Sequence, residues 1–179
     1  MRLPSSLSGH APVSRTAWLS RRALLGGPAL AGVMVLAACG GPSPTTLAVT
    51  LSASPSLNPN ADKQASPTVV RLYDLKSRDT FDNATFNDLF YNDTATLAAD
   101  MLGRKEIEML PGKTVTFKRD AESGTKFLGV IAGFRALQGD AWRAVMAVRP
   151  GDTNPVLITL GPNLVTIGRK PSSGFLGLF

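Results

Sequence analysis

The residue types that most often carry chemistry are almost missing from this 179-residue chain, which has one cysteine, Cys39, and one histidine, His10. A lone thiol cannot close an internal disulfide, and it lacks the companions that a zinc site needs. His10 precedes Cys39, so everything after Cys39 is without thiol and imidazole. That excludes Ser-His-Asp triads, cysteine hydrolases and almost all zinc chemistry there. Carboxylates remain. Glu106 and Glu108 lie two apart on an extended segment, hence on one face, as an acid/base pair would. A solvated strand face with Ile107 and Met109 turned inward accounts for the same spacing and is the simpler reading. Asp79, Asp82, Asp88 and Asp93 lack the Asp-x-Asp-x-Asp-Gly spacing of a calcium loop, and helix capping explains two of them. Neither Gly-x-x-x-x-Gly-Lys-Ser/Thr nor Gly-x-Gly-x-x-Gly occurs, so no phosphate-cradling loop is expected. The domain after Cys39 is expected to bind and not to react: no enzyme, no metal and no small-molecule substrate.

What Cys39 does must then follow from its surroundings. Upstream stand Arg2, Arg15, Arg21 and Arg22, then the uncharged run from Ala23 to Ala38. At 16 residues, interrupted by Gly26, Gly27, Pro28 and Gly32, the run is shorter than the roughly 20 residues of a membrane span. It reads as the apolar region of an export signal, with residues 1–38 as a cleaved leader. Leu36-Ala37-Ala38-Cys39 resembles the lipobox of bacterial lipoproteins. That resemblance implies a covalent lipid on Cys39, cleavage just before it, and no other cofactor. Gly40, where aspartate would resemble an inner-membrane retention signal, implies a lipid anchor on the periplasmic face of the outer membrane. Ser20 to Leu25 also resembles a twin-arginine export motif, and paired arginines precede ordinary signals too, so both export routes stay open.

The leader also explains the charge. The chain carries a formal +6, but four of its 19 Lys and Arg lie in residues 1–38, leaving 15 against 13 acids. Without runs of like charge, a nucleic-acid partner has no support. The 141 residues from Cys39 suit one domain with one core.

Residues 39–46, rich in Gly, Pro, Ser and Thr, read as a tether to a domain over 47–168, with a tail over 169–179. Leu47 to Ser54 alternates as a half-buried strand, and Thr68 to Lys76 reads as the next. Between them Pro55 to Pro67 holds three prolines and two asparagines, a long connection with little capacity for regular structure. Phe81, Phe86, Leu89 and Phe90 then fall on a helical stripe capped by Asp79 or Thr80. A second helix, capped by Asn92 or Asp93, carries Leu97 and Met101 at i and i+4. From Lys105 the period returns to two, in runs separated by turn clusters. The expected fold is all-β, an antiparallel β-sandwich of immunoglobulin-like kind with a short two-helix insertion. Tyr73, Trp142 and Arg143 offer a ligand platform on such a sandwich, and Arg135 beside Phe134 a further binding group; arginine stems covering a sandwich edge explain both arginines as well.

The order of the lipobox, "LNPNADKQASPTVVRLYDL", the phenylalanine-rich helical stretch, "LPG" at Leu110 to Gly112 and "FLGVIAGFR" resembles the TssJ family, the VasD-like or SciN-like outer-membrane lipoproteins of type VI secretion systems. The resemblance spans Leu57 to about Gly168. It implies a transthyretin-like β-sandwich with an added helical region and a non-enzymatic role: anchoring the secretion membrane complex to the outer membrane by binding the periplasmic C-terminal region of TssM. In the family the loop between the first two strands contacts TssM. Here that implies Pro55 to Pro67, with Asn58, Pro59, Asn60, Ala61 and Asp62 at its tip. The alternative to this adaptor is a lipid-anchored periplasmic β-sandwich that binds a ligand through Tyr73, Trp142 and Arg143.

Overall fold

The computed structural model describes residues 43–171. Cys39 with its lipobox, the export signal and most of the apolar tail lie outside them. Eight strands form two four-stranded sheets: β1 (Thr46–Ala53), β4 (Thr114–Asp120), β7 (Thr153–Leu160) and β8 (Val165–Arg169) in the order β4-β1-β7-β8, and β2 (Thr68–Leu75), β3 (Met101–Met109), β5 (Phe127–Ala132) and β6 (Arg143–Ala147) in the order β3-β2-β5-β6. The expected sandwich is present. Its pairing is antiparallel except that β1 lies parallel to β7, from Thr46 opposite Thr153 to Ala53 opposite Leu160. Strand alternation alone cannot reveal this, because both directions give a period of two.

The core forms where the alternation is strictest. Leu47, Val49 and Leu51 of β1, Val156, Ile158 and Leu160 of β7, and Leu128 and Val130 of β5 are all fully buried. Strands β2 and β5 depart from alternation and are buried on both faces, β2 at Leu72, Tyr73, Asp74 and Leu75 and β5 also at Ile131 and Ala132. One face meets the opposite sheet. The other is covered by the segment between β2 and β3.

That segment contains three short helices and not two: α1 (Asp79–Asn83), α2 (Phe86–Tyr91) and α3 (Asp93–Leu97), followed by a 3₁₀ turn over Ala98–Asp100. The expected first helix breaks at Ala84 and Thr85, both extended. Thr85 and Asp88 form a reciprocal capping box, which restarts the helix in a new direction. Arg78, not Asp79 or Thr80, precedes α1, and Met101 opens β3 instead of closing a helix. Gly129 on β5 and Gly133 just beyond its end admit the helices. A Cβ on Gly129 would stand 3.0 Å from the Phe81 ring, and one on Gly133 2.8 Å from the Phe90 ring.

Polar groups fix this third layer. Asp93, at the start of α3, accepts from Arg104 Nη1 at 2.7 Å and lies 3.0 Å from the Tyr73 hydroxyl; Arg71 donates to Glu106 and to the Phe90 carbonyl. Burial alone would raise the Asp93 carboxyl, but hydrogen bonds from Arg104 and Tyr73, with the Arg104 charge, hold it below the usual carboxylate range. Burial, joined by the Asp93 charge, pushes the Tyr73 phenol up. Because the folded state depresses Asp93, its stabilisation is fully present above the unfolded value of 3.8 and is lost as pH falls through the lower folded value. Acid titration is therefore expected to lower the unfolding midpoint below about pH 4, and Asp93→Asn to remove part of that slope. An unchanged acid slope in the variant would sink this assignment.

Candidate functional site

Strand direction sorts the connections to two ends. Antiparallel pairing of β1 with β4, of β2 with β3 and β5, and of β7 with β8 brings the β1–β2, β3–β4, β5–β6 and β7–β8 connections to one end, the loop end. The chain enters at the other: Thr46 N–H donates to Asp152, Ala121 N–H to Thr45, and Gly151 N–H to the Thr45 hydroxyl. Eight-residue strands at 3.3 Å per residue separate the ends by about 25 Å.

The β1–β2 loop, residues 54–67, is ordered without regular secondary structure. Leu57 is fully buried and plugs its base. Asn60 closes its tip: the side-chain Oδ1 accepts from Asp62 and Gln64 N–H at 3.0 and 2.9 Å, while its N–H donates to the Gln64 carbonyl at 2.9 Å. An asparagine that mimics a backbone turn in this way suits a loop containing three prolines. Ala61 to Ala65 stand exposed beyond the ring.

The five residues expected at the tip divide. Ala61 and Asp62 are exposed there, and Pro59 and Asn60 are half-buried below them. Asn58 is not at the tip. It is 3% exposed and spends its polar atoms inside the protein, with N–H to Pro162 O, Nδ2 to Pro67 O and Oδ1 from Arg135 N–H, all at 2.8 Å. Its φ of 47° lies in the left-handed region that asparagine tolerates. The exposed tip continues instead through Lys63, Gln64 and Ala65, which the sequence reading did not single out. No local signal separates them from Ala61 and Asp62, because closure of the Asn60 ring decides which residues protrude.

Of the four large apolar side chains that are exposed among the described residues, Leu110, Leu137 and Leu164 lie on connections at this same end. The platform of Tyr73, Trp142 and Arg143 does not form. Tyr73 is fully buried and Trp142 is 4% exposed, packed edge-on against Phe86. Arg143 donates to the Phe81 and Ala84 carbonyls and to Asp140, so its guanidinium ties α1 to the sheet. Arg135 is exposed, and the loop uses its backbone N–H. A cleft of about 340 Å³ beside Arg143 also holds Arg78, Asp82 and Asp140, and each of its cations is paired with one of its anions. Glu106 and Glu108 are exposed on β3 with Ile107 half-buried and Met109 buried, the arrangement of a solvated strand face.

The family model described as type VI secretion lipoprotein (VasD, EvfM, TssJ) matches residues 45–163. Among solved structures, the lipoprotein TssJ1 from Pseudomonas aeruginosa is similar at 35% identity and a TM-score of 0.69, over 72% of this chain and 98% of that one. A chain in a structure described as a type VI membrane complex is 30% identical, with a TM-score of 0.63, over 72% of this chain and 100% of that one. A chain in the structure of the TssM C-terminal domain from EAEC is 27% identical, with a TM-score of 0.60, over 70% and 99%. None of the curated proteins matches.

Proposed function

Since this chain belongs to the type VI secretion lipoprotein family, we propose that it anchors the secretion system's membrane complex to the outer membrane, held by lipid on Cys39 and binding the periplasmic C-terminal region of TssM through its loop end. The observation that carries the reading is the opposition of the two ends. Seven residues, Cys39 to Thr45, join the lipid site to the entry end, and at most about 3.6 Å per residue they reach about 25 Å. The loop end lies a strand length farther from the membrane, with its closed tip and exposed leucines directed into the periplasm. A lipoprotein built this way offers its partner the surface that the membrane leaves free. Similarity to chains in structures of a TssM domain and of a type VI membrane complex supports the same partner.

The alternative of a ligand-binding module would need an open platform, and the three residues that would have formed it are spent on packing and internal hydrogen bonds. An adaptor needs no reacting group, in keeping with a domain that lacks thiol and imidazole.

Capture of the periplasmic TssM fragment by the full lipoprotein tests the proposal. Replacing Asn60–Ala65 with Gly and Ser is expected to weaken capture at least about tenfold, because the tip contacts are removed and a disordered loop must be ordered on docking. Capture at the native level would remove the loop from the interface.

A further inference from the structure

We propose that Asn58 is a positioning residue: its side chain clasps the β1–β2 loop to the β5–β6 loop while its backbone N–H holds the β7–β8 loop, and the side-chain clasp sets the pose in which the partner meets the loop tip. This rests on the reading of the loop end as the TssM-binding surface. Asn58 joins residues far apart in the chain, since Arg135 N–H donates to its Oδ1 across 77 positions and its own N–H donates to Pro162 O. Its Nδ2 closes the base of its own loop on Pro67 O. Both the left-handed backbone and the need for one acceptor and one donor on a short side chain select asparagine. At 3% exposure the residue itself offers a partner almost nothing.

The clasp matters for what rides above it. Leu137 and Leu164 are exposed on the two loops that Asn58 holds against the first. Lys63, Lys113 and Arg135 are exposed on the connections at this end and take part in no salt bridge among the described residues, whereas of the acids there Asp140 is paired with Arg143 and Asp62 stands alone. The held surface is thus apolar with a cationic rim, and it fits a protein patch that is apolar with acidic groups around it. Loops already fixed in their bound arrangement lose less conformational freedom on docking.

The full lipoprotein, purified in detergent, tests this with hydrogen exchange and with binding to the periplasmic TssM fragment. Asn58→Gly keeps the backbone conformation and the bond to Pro162 but deletes Oδ1 and Nδ2. It is expected to speed exchange at the Arg135 amide and through residues 59–66, to leave β1 and β7 protected, and to weaken binding about tenfold. Asn58→Asp keeps the Oδ1 acceptor but sets a buried carboxylate oxygen against the Pro67 carbonyl, and is expected to loosen the loop at least as far; Asn58→Ser, neutral and too short for both bonds, carries the test if the glycine variant does not fold. Native binding by Asn58→Gly while the Arg135 amide exchanges faster, or an Arg135 amide that exchanges at the native rate, overturns the clasp. If the Asn60–Ala65 replacement binds at the native level, the surface reading itself fails; if that replacement is weak and Asn58→Gly is not, only the clasp fails.

Discussion

A chain exported behind a signal peptide that is cut without lipid transfer, so that it begins at Gly40, is expected in the soluble periplasmic extract, whereas the native protein pellets with membranes. The difference follows from acyl arithmetic. Each buried CH₂ contributes about 0.8 kcal/mol, and a single myristoyl chain holds a protein only marginally. Three chains on Cys39, as proposed, would make release negligible on the timescale of a fractionation, so the soluble share should change by roughly a thousandfold or more. Among the described residues no helix is long and apolar enough to cross a membrane. Mass spectrometry of the native amino-terminal peptide should find lipid on Cys39 and no residue before it. Persistent pelleting of the lipid-free chain after a carbonate wash would assign attachment to another surface.

Asp74→Ala is expected to lower stability by about 3–5 kcal/mol, a large part of the total of an ordinary domain. Asp74 projects from β2 toward the opposite sheet and is 1% exposed. There Arg119 of β4 grips it with Nη1 and Nη2 at 2.7 and 2.6 Å, and Glu122 N–H donates at 3.0 Å. Removing the carboxylate strands a guanidinium whose Nε already lacks a partner. Arg119 is 22% exposed and keeps its bond to the Asp120 carbonyl, so the cost is that of a half-buried cation left without its counter-ion, toward the lower end of that range and still larger than the net worth of the pair. Asp74→Ala combined with Arg119→Met should recover much of the loss, because an apolar stem needs no counter-ion. Urea midpoints of the two variants decide it, and a loss below about 1 kcal/mol for Asp74→Ala would place the pair among weak surface bridges. The pair joins the two sheets near the entry end, where a pull on the tether would act first.

The candidate site was legible in part. The loop itself shows in the sequence, since three prolines and two asparagines between two alternating runs leave no regular structure to form. Its internal division does not. Asn58 and Asn60 sit two positions apart with the same chemistry; one is buried as a clasp and the other closes the tip, because Arg135 and Pro162 arrive beside the first, whereas the second meets neighbours of its own loop such as Asp62 and Gln64. The platform failed for a related reason: Tyr73 and Trp142 look available until the helical layer covers the sheet.

By itself the sequence determined the near-neutral charge after Cys39, the lack of thiol and imidazole beyond it, and the sandwich class. These depend on residue type, local order and a period of two, which hold wherever the chain goes. Tertiary structure alone decided that β1 lies parallel to β7, that Thr85 splits the helical stretch, that Asp74 meets Arg119 and that Asn58 faces inward. Each depends on which distant segment packs alongside, and the 45 positions between Asp74 and Arg119 or the 77 between Asn58 and Arg135 leave no periodic trace in the chain.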